Sequence, residues 1–80
     1  MAASNVEAMM PASVSDVDAL AAEAARQNGV RHLWVARQKE NRFRWEIAFQ
    51  DGERRIGMTV HESALGELAA RVAEWKAAGT

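Results

Sequence analysis

The chain has 80 residues and a mass of 8.8 kDa, enough for one small domain, and 17 of its 39 apolar residues are alanines, so any core is thin. Cysteine is absent, which removes disulfides, thiolate nucleophiles and cysteine-ligated zinc, and the size excludes a large enzyme with a deep substrate cavity. The net charge of -1 excludes a whole-molecule field that attracts polyanions, yet it hides a segregation: residues 1–25 carry four acids and no base, and residues 26–60 carry eight bases against four acids.

Residues 1–13 show no period and contain Met10-Pro11, which predicts a disordered leader ahead of a single α+β domain over 14–80. No run is apolar enough to span a bilayer, and the start has neither a basic flank nor a hydrophobic block. A cytoplasmic protein without a membrane partner is expected.

Ser15 with Asp18 three residues on predicts a capped helix over Asp16 to Gln27. Val17, Leu20, Ala21 and Ala24 fall on one face of it, and Asn28-Gly29 supplies a left-handed stop. Val30 to Arg37 has the Val, Leu and Trp content of a strand, and Gln38 to Asn41 is a polar turn. From Arg42 to Gln50 the odd positions Phe43, Trp45, Ile47 and Phe49 are large and apolar while the even ones are mostly polar, the pattern of a half-buried strand.

Asp51-Gly52 predicts a two-residue hairpin turn with Gln50 opposite Glu53. The inward pairs are then Phe49 with Arg54, Ile47 with Ile56, Trp45 with Met58 and Phe43 with Val60. Two registers stay open for the first strand. Setting Val35 against Trp45 buries Leu33 and Val35 and leaves Trp34 on the wet face, and this is preferred because it places two branched aliphatics inside. Setting Trp34 against Trp45 buries His32 and Trp34 instead.

From Glu62 or Ser63 the period becomes helical, with Leu65, Leu68, Val72 and Trp75 on one stripe and Gly79 at the end. Gly66 within that helix is unfavourable and is explained if the alanine-rich first helix crosses close to it. The expected fold class is α+β in the order α-β-β-β-α, a three-stranded antiparallel sheet with both helices packed on one face and the other face in solvent.

His32, His61 and Glu62 supply too few ligands for a zinc site, so neither metal nor cofactor is expected. His61 and Ser63 lie two apart where strand meets helix, Ser63 suits a helix cap, and no oxyanion-hole motif accompanies them, so no catalytic residue is assigned. What stands out is a wet sheet face bearing arginines. The candidate binding residues are Trp34, Arg37, Arg42, Arg44, Arg54 and Arg55, since arginine pairs bidentately with carboxylate or phosphate and an exposed tryptophan is a recognition anchor.

The helix, three-strand, helix order over residues 15–78 resembles the double-stranded RNA-binding domain fold. That family grips phosphates through a lysine-rich start to its last helix, and the corresponding stretch here is His61-Glu62-Ser63-Ala64, so the resemblance implies topology without the RNA contacts. Residues 31–76, through Arg44-Trp45-Glu46-Ile47 and Gly52 to Gly57 ahead of a helix, also look like the sheet-plus-helix arm-binding domains of tyrosine integrases. That resemblance implies exposed strands that enter a major groove.

These features lead to the expectation of a small non-enzymatic binding protein, an inhibitor, adaptor or regulator of the kind mobile elements encode. It would meet an acidic protein surface through its sheet face or sheet edge. The alternative is a nucleic-acid-binding domain using the same sheet. Because the first strand carries no formal charge over residues 32–36, a homodimer or a partner strand is expected to pair along residues 31–37.

Overall fold

The computed structural model describes residues 13–79; the expected leader, apart from Ser13, lies outside the described residues. Helix α1 spans Val14–Asn28, strands β1, β2 and β3 span Arg31–Arg37, Arg44–Asp51 and Arg54–His61, a 3-10 turn covers Glu62–Glu67, and helix α2 spans Leu68–Ala78. The strands form one antiparallel sheet in the order β1-β2-β3, so the α+β architecture is the expected one.

Helix α1 starts two residues earlier than its spacing suggested. Ser13, not Ser15, is the N-cap: its hydroxyl accepts from the Asp16 amide and the Asp16 carboxylate accepts from the Ser13 amide, a reciprocal capping box. Ser13 and Ser15 both have an aspartate three residues on, so local chemistry alone allowed either start. The helix ends at Gly29, whose φ of 66° is the left-handed conformation expected there.

The buried face of α1 is Val17, Ala21, Ala24 and Ala25. Leu20 is 43% exposed, contrary to its expected place in the core, and Ala25 takes the buried position. Residues 17, 21, 24 and 25 follow the four- and three-residue steps of a stripe, and Leu20 lies at its rim. The small side chains let α1 sit close to α2 and β1. At the C-terminal end of α1 two polar ties fix that contact. The Asn28 side-chain amide donates to the Ala24 carbonyl (2.9 Å) and to Ala69 of α2 (3.0 Å), and the Lys76 ammonium donates to the Asn28 carbonyl (2.6 Å). A cation at the negative end of α1 suits the helix dipole as well as the orphan carbonyl.

The hairpin register differs from the expected one by two residues. Asp51 pairs with Arg54, Phe49 with Ile56, Ile47 with Met58 and Trp45 with Val60, so the turn residues are Gly52 and Glu53. Gly52 has φ 63° and, among the described residues, no non-glycine residue has positive φ, the pattern of a II′ turn, in which only the first position must be left-handed. A two-residue slip keeps every side chain on its own face, so alternation cannot separate the two registers. The observed register is the better packed, because Phe49 meets Ile56 rather than Arg54.

The first strand follows neither proposed register: Trp45 pairs with Arg37, two residues beyond the preferred Val35. Val35 pairs with Ile47 and Trp34 with Ala48, but a bulge at Leu33 lets His32 pair with Phe49. Val35 therefore faces the core and Trp34 faces outward, as preferred, whereas Leu33 is absorbed by the bulge and His32 turns inward against the Phe49 ring.

Phe43 leaves the strand. Asn41 accepts from the Phe43 amide through its side chain (2.9 Å) and from the Arg44 amide through its carbonyl (3.0 Å), a tight turn that leaves Phe43 38% exposed rather than paired inward with Val60. The core is built from Trp45, Ile47, Phe49, Met58 and Val60 of the sheet, Val17 and the alanines of α1, and Leu65, Leu68 and Val72 after the sheet. The predicted stripe is thus correct, but its first turn is a 3-10 helix. Gly66 lies in that turn, exposed, with nothing within 4 Å of where a Cβ would stand, so a close helix crossing is not what it serves.

Candidate functional site

The core residues of β2 and β3 alternate with a second set that faces away from both helices. Reading across the sheet by register, this outer face has four rows. At the hairpin end lie Arg31, Gln50 and Arg55; next come Trp34, Ala48 and Gly57; then Ala36, Glu46 and Thr59; and last Gln38, Arg44 and His61. Neighbouring strands stand about 4.8 Å apart and alternate residues about 6.8 Å, so Arg31 and Arg55 are about 10 Å apart at the backbone and the first and last rows about 20 Å apart.

Trp34 is 47% exposed in the middle of one edge of this face, and the positions around it are small: Ala36, Ala48 and Gly57. Ala48 is 2% exposed and is the buried apolar residue outside the core cluster among those described. Charge on the face comes from Arg31, Arg44 and Arg55 against Glu46, and Glu46 accepts a hydrogen bond from the Gln38 side chain (3.3 Å). The face is therefore a shallow apolar floor with one tall aromatic, flanked by cations at both ends.

The six residues singled out in the sequence do not form one cluster. Trp34, Arg44 and Arg55 share the outer face, with the two arginines at opposite ends of it. Arg42 is exposed in the loop, its guanidinium 5.2 Å from the Phe43 ring centre. Arg37 pairs with Trp45 on the inner face, lies 4.5 Å from the centre of that ring, and donates to the Arg42 carbonyl (3.3 Å). Arg54 lies 4.8 Å from the Trp75 ring centre and donates to the Trp75 carbonyl (3.0 Å), fastening the end of α2 to the hairpin turn. Both guanidiniums close the ends of the core, with their charge spread over indole rings and carbonyls.

Sequence reasoning missed Arg31. On strict alternation a residue three before Trp34 faces the opposite way, and only the extra residue of the bulge brings both to the outer face. No local signal in Arg31-His32-Leu33-Trp34 marks that bulge.

The histidines are engaged structurally. His61 is the N-cap of the 3-10 turn: its Nδ1 accepts from the Ser63 amide (3.1 Å) and lies 2.8 Å from Ser63 Oγ. The capping group is His61, where Ser63 was expected, because the outgoing strand aims the imidazole back over the turn. With Nδ1 already accepting from the backbone, the Ser63 hydroxyl completes a local cap, and no third group among the described residues hydrogen-bonds the ring. His32 is half-buried, with Nε2 3.7 Å from Asp18 Oδ1 and no hydrogen bond. Glu62 serves the core instead, since its Oε1 accepts the indole N–H of buried Trp45 (3.2 Å) and so satisfies a donor that would otherwise be stranded. No group of three or more potential metal ligands occurs among the described residues, and no helix among them is long and apolar enough to cross a membrane.

Comparison with protein-family models, with curated proteins and with solved structures gives no match.

Proposed function

We propose that the chain is a small binding module, acting as an inhibitor, adaptor or regulator, that docks the outer face of its sheet on a protein presenting carboxylates around an apolar recess. The observation that carries this reading is Trp34. A large aromatic half exposed above Ala36, Ala48 and Gly57 is a side chain that gains from entering a partner's pocket, and small neighbours leave room for the pocket's rim. Arg31 and Arg55 at one end and Arg44 at the other supply charge-assisted contacts that steer and register the approach.

A nucleic-acid partner is the less favoured occupant of the same face. Arg37 and Arg54 are drawn inward, and Glu46 sits in the middle rows, which leaves three outward arginines split between ends about 20 Å apart.

Affinity capture with wild type, Trp34→Ala and the pair Arg31→Glu, Arg55→Glu tests the proposal. All three should fold alike by circular dichroism, and captured protein should be lost with either variant. Capture unaltered by Trp34→Ala rejects this face. Retardation of duplex DNA or RNA whose binding constant falls steeply with salt, losing about one unit of log-log slope per arginine removed, would transfer the function to nucleic acid.

A further inference from the structure

We propose that the open edge of β3 accepts an extended acidic segment of another protein as a fourth strand. This rests on the reading of the chain as a protein-binding module and adds a second surface to the outer face.

Two hydrogen bonds identify which backbone groups of β3 are open. The Gln38 amide donates to the Arg44 carbonyl (3.0 Å), so even-numbered residues of β2 serve β1; the Glu62 amide donates to the Phe43 carbonyl (2.7 Å), so odd-numbered ones serve β3. The β3 partners of Asp51, Phe49, Ile47 and Trp45 are Arg54, Ile56, Met58 and Val60. The N–H and C=O groups of Arg55, Gly57 and Thr59 therefore point away from the sheet. None of the three makes a backbone hydrogen bond outside the sheet among the described residues.

Edge strands in natural sheets are guarded by bulges, prolines, charges or covering elements. The edge at β1 has such a guard, the bulge at Leu33, whereas the β2-β3 ladder is regular from Arg54 to His61. At the middle of β3, Gly57 is exposed and has nothing within 4 Å of where a Cβ would stand, so another backbone can approach there.

Charge selects the occupant. From Arg54 to His61 there are two arginines and no carboxylate. Arg54 is taken up by Trp75, and Arg55 is exposed on the outer face, where the directly opposite position of an added strand would lie about 5 Å away. A carboxylate there pairs with Arg55, while an apolar residue on the inner face packs on half-buried Ile56. A second copy of the chain serves less well. Pairing β3 antiparallel with itself, with Gly57 against Gly57 or against Thr59, sets Arg55 against neutral Thr59 or against His61.

Backbone amide exchange followed by NMR, with a synthetic decapeptide alternating valine and glutamate as the probe, tests the proposal. At saturating peptide the amides of Arg55, Gly57 and Thr59 should exchange about tenfold more slowly or less, while those of Ile56, Met58 and Val60, already bonded to β2, stay as they were. A peptide with lysine for glutamate should not protect them, and Arg55→Glu should weaken the glutamate peptide roughly fivefold or more. Gly57→Pro removes an outward donor without touching the β2 ladder and should abolish protection at Arg55 and Thr59; if that variant does not fold, the wild-type exchange pattern decides alone.

Unchanged exchange at the three amides with millimolar peptide overturns the proposal. Protection that appears without peptide and grows with protein concentration assigns the edge to a second copy and overturns it too. A displaced Trp34 indole resonance without protection along β3 overturns the edge while leaving the outer face as the docking surface.

Discussion

Trp45 concentrates the interactions that a small core depends on. Its ring is fully buried, its indole N–H is satisfied by Glu62, and the Arg37 guanidinium lies 4.5 Å from the ring centre. Trp45→Ala should cost about 3 to 5 kcal/mol, enough to unfold most of the population, with loss of the cooperative thermal transition as the measurement. A melting temperature within a few degrees of wild type would contradict the burial. Gly66 gives the opposite expectation: it is exposed, its φ is not positive and a Cβ there meets nothing, so Gly66→Ala should stabilise by about 0.4 to 1 kcal/mol in denaturant unfolding. At this scale Trp45, Ile47 and Phe49 were legible from alternation alone. Phe43 was not, because the side chain of Asn41 competes for its amide and turns it out of the strand.

Between elements, the alanine face of α1 provides closeness rather than area, and Lys76 and Asn28 supply the ties that hold α1 to α2. Lys76→Met keeps the aliphatic stem and removes the donor to the Asn28 carbonyl. It should lower stability by about 1 kcal/mol and the melting temperature by about 4 to 8 °C, read by calorimetry. On the outward side of α1, Glu23 accepts from Arg26 and Gln27, which hold its carboxyl at about 2 against an ordinary 4.5. A carboxylate with a depressed folded-state value contributes stability that is fully present above about 4.5 and is lost as pH falls through about 2. Because the pair is exposed, Glu23→Gln should flatten only a small part of the acid unfolding curve between those limits. Carbon-detected titration of Glu23 checks the depressed value directly. The Ser-x-x-Asp and Asn-Gly signals made α1 visible in the sequence, but two serines in equivalent settings left its first turn ambiguous, and the capping box at Ser13 resolved it.

For the whole molecule, the division of arginines decides which substitutions affect stability and which affect binding. Arg37→Ala should lower stability by about 1 kcal/mol through loss of its contact with Trp45 and leave partner capture in place, whereas Arg44→Glu with Arg55→Glu should leave the melting temperature within a degree or two and reduce capture. Equal behaviour of the two variants in both assays would refute the division. The sequence by itself determined the order of elements, the faces of the second and third strands and the helical stripe after them, because period-two and period-3.6 alternation and a glycine stop are local properties of a chain partitioning between core and water. Tertiary structure alone decided three things: the two-residue shift of the hairpin, the bulge at Leu33, and the packing of Arg37 and Arg54 against tryptophans. A shift by two conserves every face, a bulge is favoured by how the whole sheet twists and packs, and a guanidinium turns inward only when a ring and a carbonyl distant in sequence are already in place to receive it.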